Sequence, residues 1–524
     1  IAQAAGMAMA EQSLAHMYKD GDKIFNHYTY CLCGDGCLEE GISQEAISFA
    51  GLQKLNKLIL MYDCNDVTLD GPLSNSSVEN TVGRFQSAGW NVIKVEDGNS
   101  VEDIDKAITI AKQSQEKPTM IMVHTVIGYG SAKQGTHKVH GSPLGIEDGE
   151  HAKKVYGYNY GPFEVPEEVY YTFRESFVKR GQEAYANFAK VWKDYKDENY
   201  DEALKIESTV DNDVSTLVYK DIPSYSEEFA DSTRNCSGAC LNILNKQVFN
   251  LIGGSADVAG SVMTHIKDET DFTATNRSGR NVNWGIREFA MAAMQNGMLL
   301  HGGLRTYVGC FLVFADYLKP AVRMAALSGL PAIYLLSHDS IAVGEDGPTH
   351  QPIEQLAMLR SIPNVNVIRP CDARETAAAW KVALESTRTP TCLILSRQKL
   401  PMIYSTSYAG VAKGGYVVSP EKEKLDFTII ATGSEVSLAV EAQKKLLADG
   451  IDTRVVSMPS MNAFAQQDEA YIEKVLGAPY EKRIAVEMLS SFGWHKFAKN
   501  VMSIERFGAS GPADDVIPSW LYSW

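Results

Sequence analysis

Short apolar runs alternate with helix-like patterns through the first third of the chain. YTYCLC, LILMYD, WNVIKV and TMIMVHTV read as buried strands. ISQEAISFAGLQKL and the stretch beginning at Val101 carry the wider spacing of helices. Strands separated in this way by helices predict a parallel sheet covered on both faces. The opening IAQAAGMAMAEQSLAHMY reads as the middle of a small-residue helix, with neither the basic start nor the cleavage pattern of a secretion signal. From Phe163 to Ile206 the text turns helical, charged and tyrosine-rich, as expected of a linker packed on a domain surface.

A second alternating region runs from NILNKQVFNLIGGSAD through PAIYLLSHDS, VNVIRP and TCLILSRQ. A third starts after Gly410 with DFTIIATGS, the helical SLAVEAQKKLLADG, DTRVVSM and RIAVEM. The simplest parse is an α/β chain of three successive domains with mainly parallel sheets, at 1–215 with its helical linker from about 160, at 216–403 and at 404–524. A length of 524 residues exceeds what one core normally supports and agrees with several domains.

Composition narrows the function. Apolar residues make up 45% and charged residues 22% of the chain, as in a folded soluble protein. A formal charge of −16 disfavours nucleic acid and anionic membranes as partners. The apolar region from Phe311 to Leu336 is broken by Asp316, Lys319 and Arg323, so no membrane span is expected. Nine cysteines without a CxxC pair suit a reducing, cytoplasmic compartment.

The tightest local pattern is CLCGDGCLEEG at 31–41 followed by LILMYDCND at 58–66. Gly34 and Gly36 flank Asp35 where a strand gives way to a helix, so backbone can approach a ligand and a helix start can face an anion such as a diphosphate. Asn65 ends the next strand and brings its oxygen to the same sheet edge, where parallel sheets bind ligands. Mg²⁺ or Ca²⁺ would accept the Asp35 carboxylate, the Asn65 amide oxygen, a carbonyl near Val67 and phosphate oxygens. A lone GDG is equally a turn.

GDG, a helix and then Asn is similar to the thiamine diphosphate fingerprint. CLEEGISQEA, KQGTHKVHGSPLG, GGSADVAGS, WGIREFAM, HDSIAVGEDGPTHQP and LILSRQ together resemble the transketolase family along essentially the whole chain. The resemblance implies a thiamine diphosphate enzyme with Mg²⁺, Ca²⁺ or another divalent cation. Such an enzyme moves a two-carbon ketol unit from a ketose phosphate such as xylulose 5-phosphate to an aldose phosphate such as ribose 5-phosphate or erythrose 4-phosphate, in the pentose phosphate pathway.

Carried over residue by residue, the resemblance places Gly34, Gly36, Glu40, Asn65, His140, Asp257, Glu288, Phe311, Phe314 and Tyr317 at the cofactor, and Asp35, Asn65 and Val67 at the metal. Glu288 matches the carboxylate that bonds the pyrimidine N1′ and promotes loss of the thiamine C2 proton; read alone, it is a helix-start carboxylate. The three aromatics match positions packed on the pyrimidine, and read alone are core. Arg234, Ser261, His338, Asp346, His350 and Arg397 match positions that bind sugar phosphates. His140 and His350 match reaction-centre histidines suited to proton transfer. The two halves of the site lie in different domains, so a homodimer with active sites at its interface is implied.

Family members carry a segment ahead of the position of Ile1, and VIPSWLYSW stands where a long terminal helix is expected. These departures predict a fragment, or a split enzyme completed by a second chain. Dihydroxyacetone synthase, with formaldehyde as acceptor, and a non-catalytic homologue are the competing readings.

Overall fold

The computed structural model describes residues 1–210 and 223–521. Its contacts divide into two compact units, Ile1–Ser208 with Thr273–Ser278, and Thr209–Phe272 with Gly279–Trp524.

The first unit is built on four parallel strands, β1 (Thr29–Gly34), β2 (Leu58–Cys64), β3 (Asn91–Val95) and β4 (Thr119–His124), in the order β1-β2-β4-β3. Helices fall where the sequence places them, at Ala2–Met17, Gly41–Leu52 and Val101–Lys112. The last of these starts at Ser100, whose side chain accepts from the Asp103 amide, and carries Glu102 and Asp103 in its first turn and Lys112 in its last. Both features match the helix dipole and its unpaired amides. Ile59, Val95, Ala107, Ala111, Ile121 and Val123 form the core between that helix and the sheet.

The region after Phe163 is helical, as Glu167–Phe173, a wider turn at Arg174–Val178, Lys179–Glu198 and Tyr200–Val210. It packs less than expected. Phe163 is fully exposed, and the buried residues fall at its far end, at Tyr195, Asn199, Ala203 and Ile206, where the Tyr195 hydroxyl donates to the Lys19 carbonyl at 2.8 Å. The charged, tyrosine-rich text encodes helices with only one short apolar contact.

The second unit contains two larger sheets and a two-stranded ribbon. β5 (Ala230–Ser232) belongs to the ribbon, and β6 (Leu251–Ser255), β7 (Asn281–Asn283), β8 (Arg305–Phe311), β9 (Ile333–Ser337), β10 (Asn366–Ile368) and β11 (Thr391–Leu395) make a parallel sheet ordered β10-β11-β9-β8-β6-β7. β12 (Lys399–Pro401) closes the ribbon against β5. Every residue of β6, β8, β9 and β11 is buried, which is why β9 and β11 read as apolar runs instead of alternating ones; β8, which opens on Arg305 and Thr306, is not among the strands expected from the sequence. Gly253 and Gly254 are required by close packing, since a Cβ would stand 2.0 Å from the Tyr307 carbonyl oxygen and 1.9 Å from that of Val282.

β13 (Tyr416–Ser419), β14 (Phe427–Ala431), β15 (Thr453–Ser457), β16 (Arg483–Val486) and β17 (Asn500–Met502) form the last sheet, ordered β13-β15-β14-β16-β17 with only β13 antiparallel. The two large sheets share a compact unit because one apolar core joins them: Leu251, Tyr307, Ile333, Trp380 and Leu393 lie in the same cluster as Val411, Tyr416, Ile429, Val436 and Val455. At the chain's end, Ala513–Leu521 is α-helical. Part of VIPSWLYSW, expected to stand in place of a long terminal helix, thus lies in a helix of 9 residues; Val516 is buried there against Ile341, Ile353 and Ile504, and that apolar contact gives the helix a face to bury. Tyr522 to Trp524 lie outside the described residues.

Candidate active site

In the first unit β1 ends at Gly34 and the next residue, Asp35, begins a short helix, Asp35–Glu39. Parallel pairing sets Gly34 opposite Asp63 and Cys33 opposite Tyr62, so the ends of β1 and β2 lie side by side. The buried Asp35 carboxylate accepts from the Tyr62 hydroxyl and from the Asn65 amide at 3.2 Å. The Asn65 side-chain oxygen accepts from the Val67 amide at 3.2 Å. Asp35, Asn65 and Val67 are therefore linked directly, as three successive members of one hydrogen-bonded chain.

Burial raises the Asp35 pKa above the ordinary carboxylate value, opposed by the donors from Tyr62, Asn65 and Val67. Cys64 and Asp66 bring ligand atoms within 4.8 Å of those of Asp35 and of each other. Burial, and then the neighbouring carboxylates, push the Cys64 thiol up to about 11, with the Tyr62 hydroxyl opposing; Asp35 and Asp66 bring carboxylate oxygens and Asn65 an amide oxygen to this edge. That set suits a hard divalent cation. Tyr62, Cys64 and Asp66 are the members that the sequence did not reveal, because their approach to Asp35 depends on the register of β2 with β1.

No atom lies within 4 Å of a Cβ built on Gly34 or Gly36. Gly34 has φ −106° and ψ −174°, which any residue adopts. The chain's own packing therefore does not demand either glycine, and the bare backbone leaves room for a ligand at the sheet edge. Glu40 is exposed and precedes helix Gly41–Leu52. His140 follows the 3-10 turn His137–Val139, half-buried, with a buried Nδ1 that has no hydrogen-bond partner among the described residues.

The second unit gathers most of the other predicted residues. His338 follows β9 in the left-handed region, at φ 62°, a conformation costing a non-glycine residue about 1–3 kcal/mol. Its imidazole stacks on Phe311 with centroids 3.8 Å apart, and its Nδ1 is 2.8 Å from the Ser337 hydroxyl, leaving Nε2 for another partner. Phe311 stacks on Phe314 at 6.1 Å, Phe314 meets His350 edge-on at 5.4 Å, and Tyr317 tilts against Phe314 at 6.1 Å. The rings thus form a ladder running from buried Phe311 to Tyr317, which is 61% exposed.

Positive charge converges on this ladder. The His338 pKa falls to about 3, first through burial and then through Arg234, Arg397 and His350. Arg234 is itself lowered by burial and next by Arg397, with Asp231 partly offsetting. One Arg234 Nη1 donates to the Ser261 carbonyl at 2.8 Å, while its buried Nε has no partner among the described residues. Two guanidiniums that repel one another beside a neutral imidazole would suit an anion.

Glu288 opens helix Glu288–His301, half-buried, as the sequence suggested. Burial, followed by the Glu288 carboxylate, holds the Cys310 thiol well above its ordinary value. Asp257, at φ 62°, and Asp346 are exposed loop residues. Asp35 and Glu288 belong to different units.

Three family models match in succession: the transketolase thiamine diphosphate binding domain over residues 1–215, the transketolase pyrimidine binding domain over 230–402, and the transketolase-like C-terminal domain over 414–520. A Bacillus subtilis transketolase is 50% identical over 537 aligned residues, spanning all of this chain and 80% of that protein. A transketolase of Geobacillus stearothermophilus is 48% identical with the same coverage. Among solved structures, transketolase from Leishmania mexicana superposes with a TM-score of 0.95 at 41% identity, covering 99% of this chain and 77% of that one. A Pichia stipitis transketolase in complex with sedoheptulose 7-phosphate gives 0.95 at 39% identity, covering 99% and 78%. With three matched domains and this identity along its whole length, the chain belongs to the transketolase family of thiamine diphosphate-dependent transferases.

Proposed function

We infer that this chain transfers a two-carbon ketol unit from a ketose phosphate to an aldose phosphate. Within the family reading, the observation that carries the substrate class is the convergence of Arg234 and Arg397 on His338. It supports an anionic, phosphorylated sugar even though the protein is strongly acidic overall, because two forked donors outweigh a distant net charge.

The residues at the end of β1 and β2 fit the cofactor's diphosphate and its cation. Asp35, the Asn65 side chain and the Val67 carbonyl would hold the cation, and the open backbone at Gly34 and Gly36 would accept the phosphates, with Glu40 and Asp257 nearby in the family pattern. Thiamine diphosphate, when bound, supplies the carbon nucleophile that takes up and releases the two-carbon unit. Glu288 would hold a proton at the pyrimidine N1′. Phe311, Phe314 and Tyr317 would offer the apolar face for that ring.

On the sugar side, Arg234, Arg397 and Ser261 orient the phosphate, and Asp346 accepts from a hydroxyl. His338, neutral at physiological pH, accepts or donates at Nε2 without adding charge. His350 and His140 move protons at the sugar oxygens. The site is completed in a homodimer, and the protein works in the cytoplasm, where its nine free cysteines stay reduced. Among the described residues no helix is long and apolar enough to cross a membrane.

The test is an assay with xylulose 5-phosphate and ribose 5-phosphate after loading with thiamine diphosphate and Mg²⁺, with formaldehyde as a parallel acceptor. Turnover on ribose 5-phosphate exceeding that on formaldehyde is expected. Cofactor binding without turnover on either acceptor would overturn the assignment, and preference for formaldehyde would replace it with dihydroxyacetone synthase.

A further inference from the structure

The last sheet changes direction at β14. Its chain passes from β14 to β15 on one side, whereas β16 and β17 lie on the other. In open α/β sheets such a switch leaves a crevice at the carboxyl ends of the two strands concerned, here β14 and β16, and ligands bind there. In this protein a side chain occupies it. Arg369, which follows β10 of the preceding sheet, is completely buried between Thr432, Ser434 and Glu435 after β14 and Glu487 after β16. Gly433, at φ 55°, accommodates it, because a Cβ there would stand 2.6 Å from the Arg369 Nε.

The same guanidinium reaches back toward the sugar site. Its Nε donates to the Asp339 carboxylate at 2.9 Å, and Asp339 is the neighbour of His338, the residue held at positive φ. Asp339 is 1% exposed, and its other carboxylate oxygen has no hydrogen-bond partner among the described residues. Its hold on the turn therefore runs through Arg369. Backbone bonds strengthen the anchor: the Arg369 amide donates to the Pro459 carbonyl at 2.9 Å, and its carbonyl accepts from Gly433 at 3.2 Å.

We propose that Arg369 and Asp339 are positioning residues, with Arg369 acting as an internal ligand of the last sheet's switch-point crevice and Asp339 transmitting that anchor to the His338 turn. The last sheet then takes part in sugar recognition without touching the sugar. The role rests on the assignment of His338 to the sugar site.

A purely structural ion cluster treats its carboxylates alike, so two variants separate the roles. Asp339→Asn and Glu435→Gln each remove one carboxylate charge from Arg369, but only the first lies next to His338. The His338 imidazole signal, identified by its loss in His338→Gln, is followed by NMR in ¹³C-histidine-labelled, cofactor-free protein. Ribose 5-phosphate affinity is measured by calorimetry on protein loaded with thiamine diphosphate and Mg²⁺.

Asp339→Asn is expected to shift the His338 signal and weaken ribose 5-phosphate about tenfold. Glu435→Gln should lower the melting temperature comparably while leaving signal and affinity within about twofold. Equal shifts in the two variants, or an unmoved His338 signal in Asp339→Asn, would overturn the proposal. Asp339→Glu, which keeps the charge and changes only its reach, carries the same comparison if Asp339→Asn does not fold. If the wild-type protein binds no ribose 5-phosphate, the sugar-site assignment fails, and the NMR comparison still decides whether Asp339 positions His338.

Discussion

The imidazole of His338 lies on the ring of Phe311 with 3.8 Å between centroids, sealed from solvent and facing two guanidiniums. A protonated ring would lose its hydration there and meet like charge, which is why the site keeps it neutral. The unfolded chain binds that proton near pH 6.5 and the folded chain only near pH 3. Between those values the unfolded state holds more protons, so stability falls as pH falls, by roughly 1.4 kcal/mol per pH unit from this group alone. Urea unfolding of His338→Gln across pH 3 to 7 is expected to show a slope shallower by that amount; an unchanged slope would place the ring in water.

Tyr62→Phe deletes the hydroxyl that donates to Asp35 and that also meets the Cys64 thiol. Leaving a buried carboxylate oxygen short of a donor costs about 1–3 kcal/mol. Loss of an outer partner of a metal ligand should weaken divalent cation binding about 10- to 100-fold. Calorimetric titration with Mg²⁺ and thiamine diphosphate reads the second effect and thermal unfolding the first. Reduced stability with unchanged cation affinity would remove Asp35 from the metal site.

Gly36→Ala separates folding from cofactor binding. With no neighbour within 4 Å of the added methyl group, stability should change by no more than about 0.5 kcal/mol. The methyl group should nevertheless weaken thiamine diphosphate by about tenfold or more, a loss of about 1.4 kcal/mol in binding. An equal loss of stability would mean that the fold, not the cofactor, requires the glycine.

Glu375 sits wholly buried at the junction of the two large sheets, accepting from Tyr416 and Ser457 at 2.7 Å each and from the Cys371 amide at 2.8 Å. Burial, then the neighbouring Asp372, raises its pKa above the ordinary 4.5. The folded state therefore keeps the proton where the unfolded chain has lost it, so this group's stabilisation is complete below pH 4.5 and declines as pH rises. Glu375→Gln turns one acceptor into a donor facing the Cys371 amide and should be less stable by about 1–3 kcal/mol at low pH. The gap to wild type should narrow toward pH 8; a gap that widens would reverse the assigned direction.

What could be read in the sequence followed from locality. The apolar runs that became β6, β9 and β11 announce strands buried on both faces, and GDG before a helix marks the edge at which Asp35 and Asn65 meet; β8, opening on Arg305 and Thr306, gave no such run. Glu288 at the head of an apolar helix was equally visible. Tyr62 was not, because its bond to Asp35 spans 27 positions and depends on strand register. Arg369 was hidden for a related reason: its partners Asp339, Glu435 and Glu487 come from three separate stretches of chain, and its neighbours in VNVIRP look like any strand end. The exposed helices after Phe163 show the converse, a segment whose local text specifies helix but whose burial depends on surfaces elsewhere.

The apolar cluster shared by the two large sheets bears on how the protein can be taken apart. A cut near residue 404 would leave Tyr307, Trp380 and Leu393 on one piece and Val411, Tyr416 and Val455 on the other, each facing water with half of a common interior. Exchanging the final sheet with that of a distant relative would therefore succeed only where both sides of this seam travel together. Limited proteolysis should release no stable fragment ending there, and heat should melt the two sheets in a single transition.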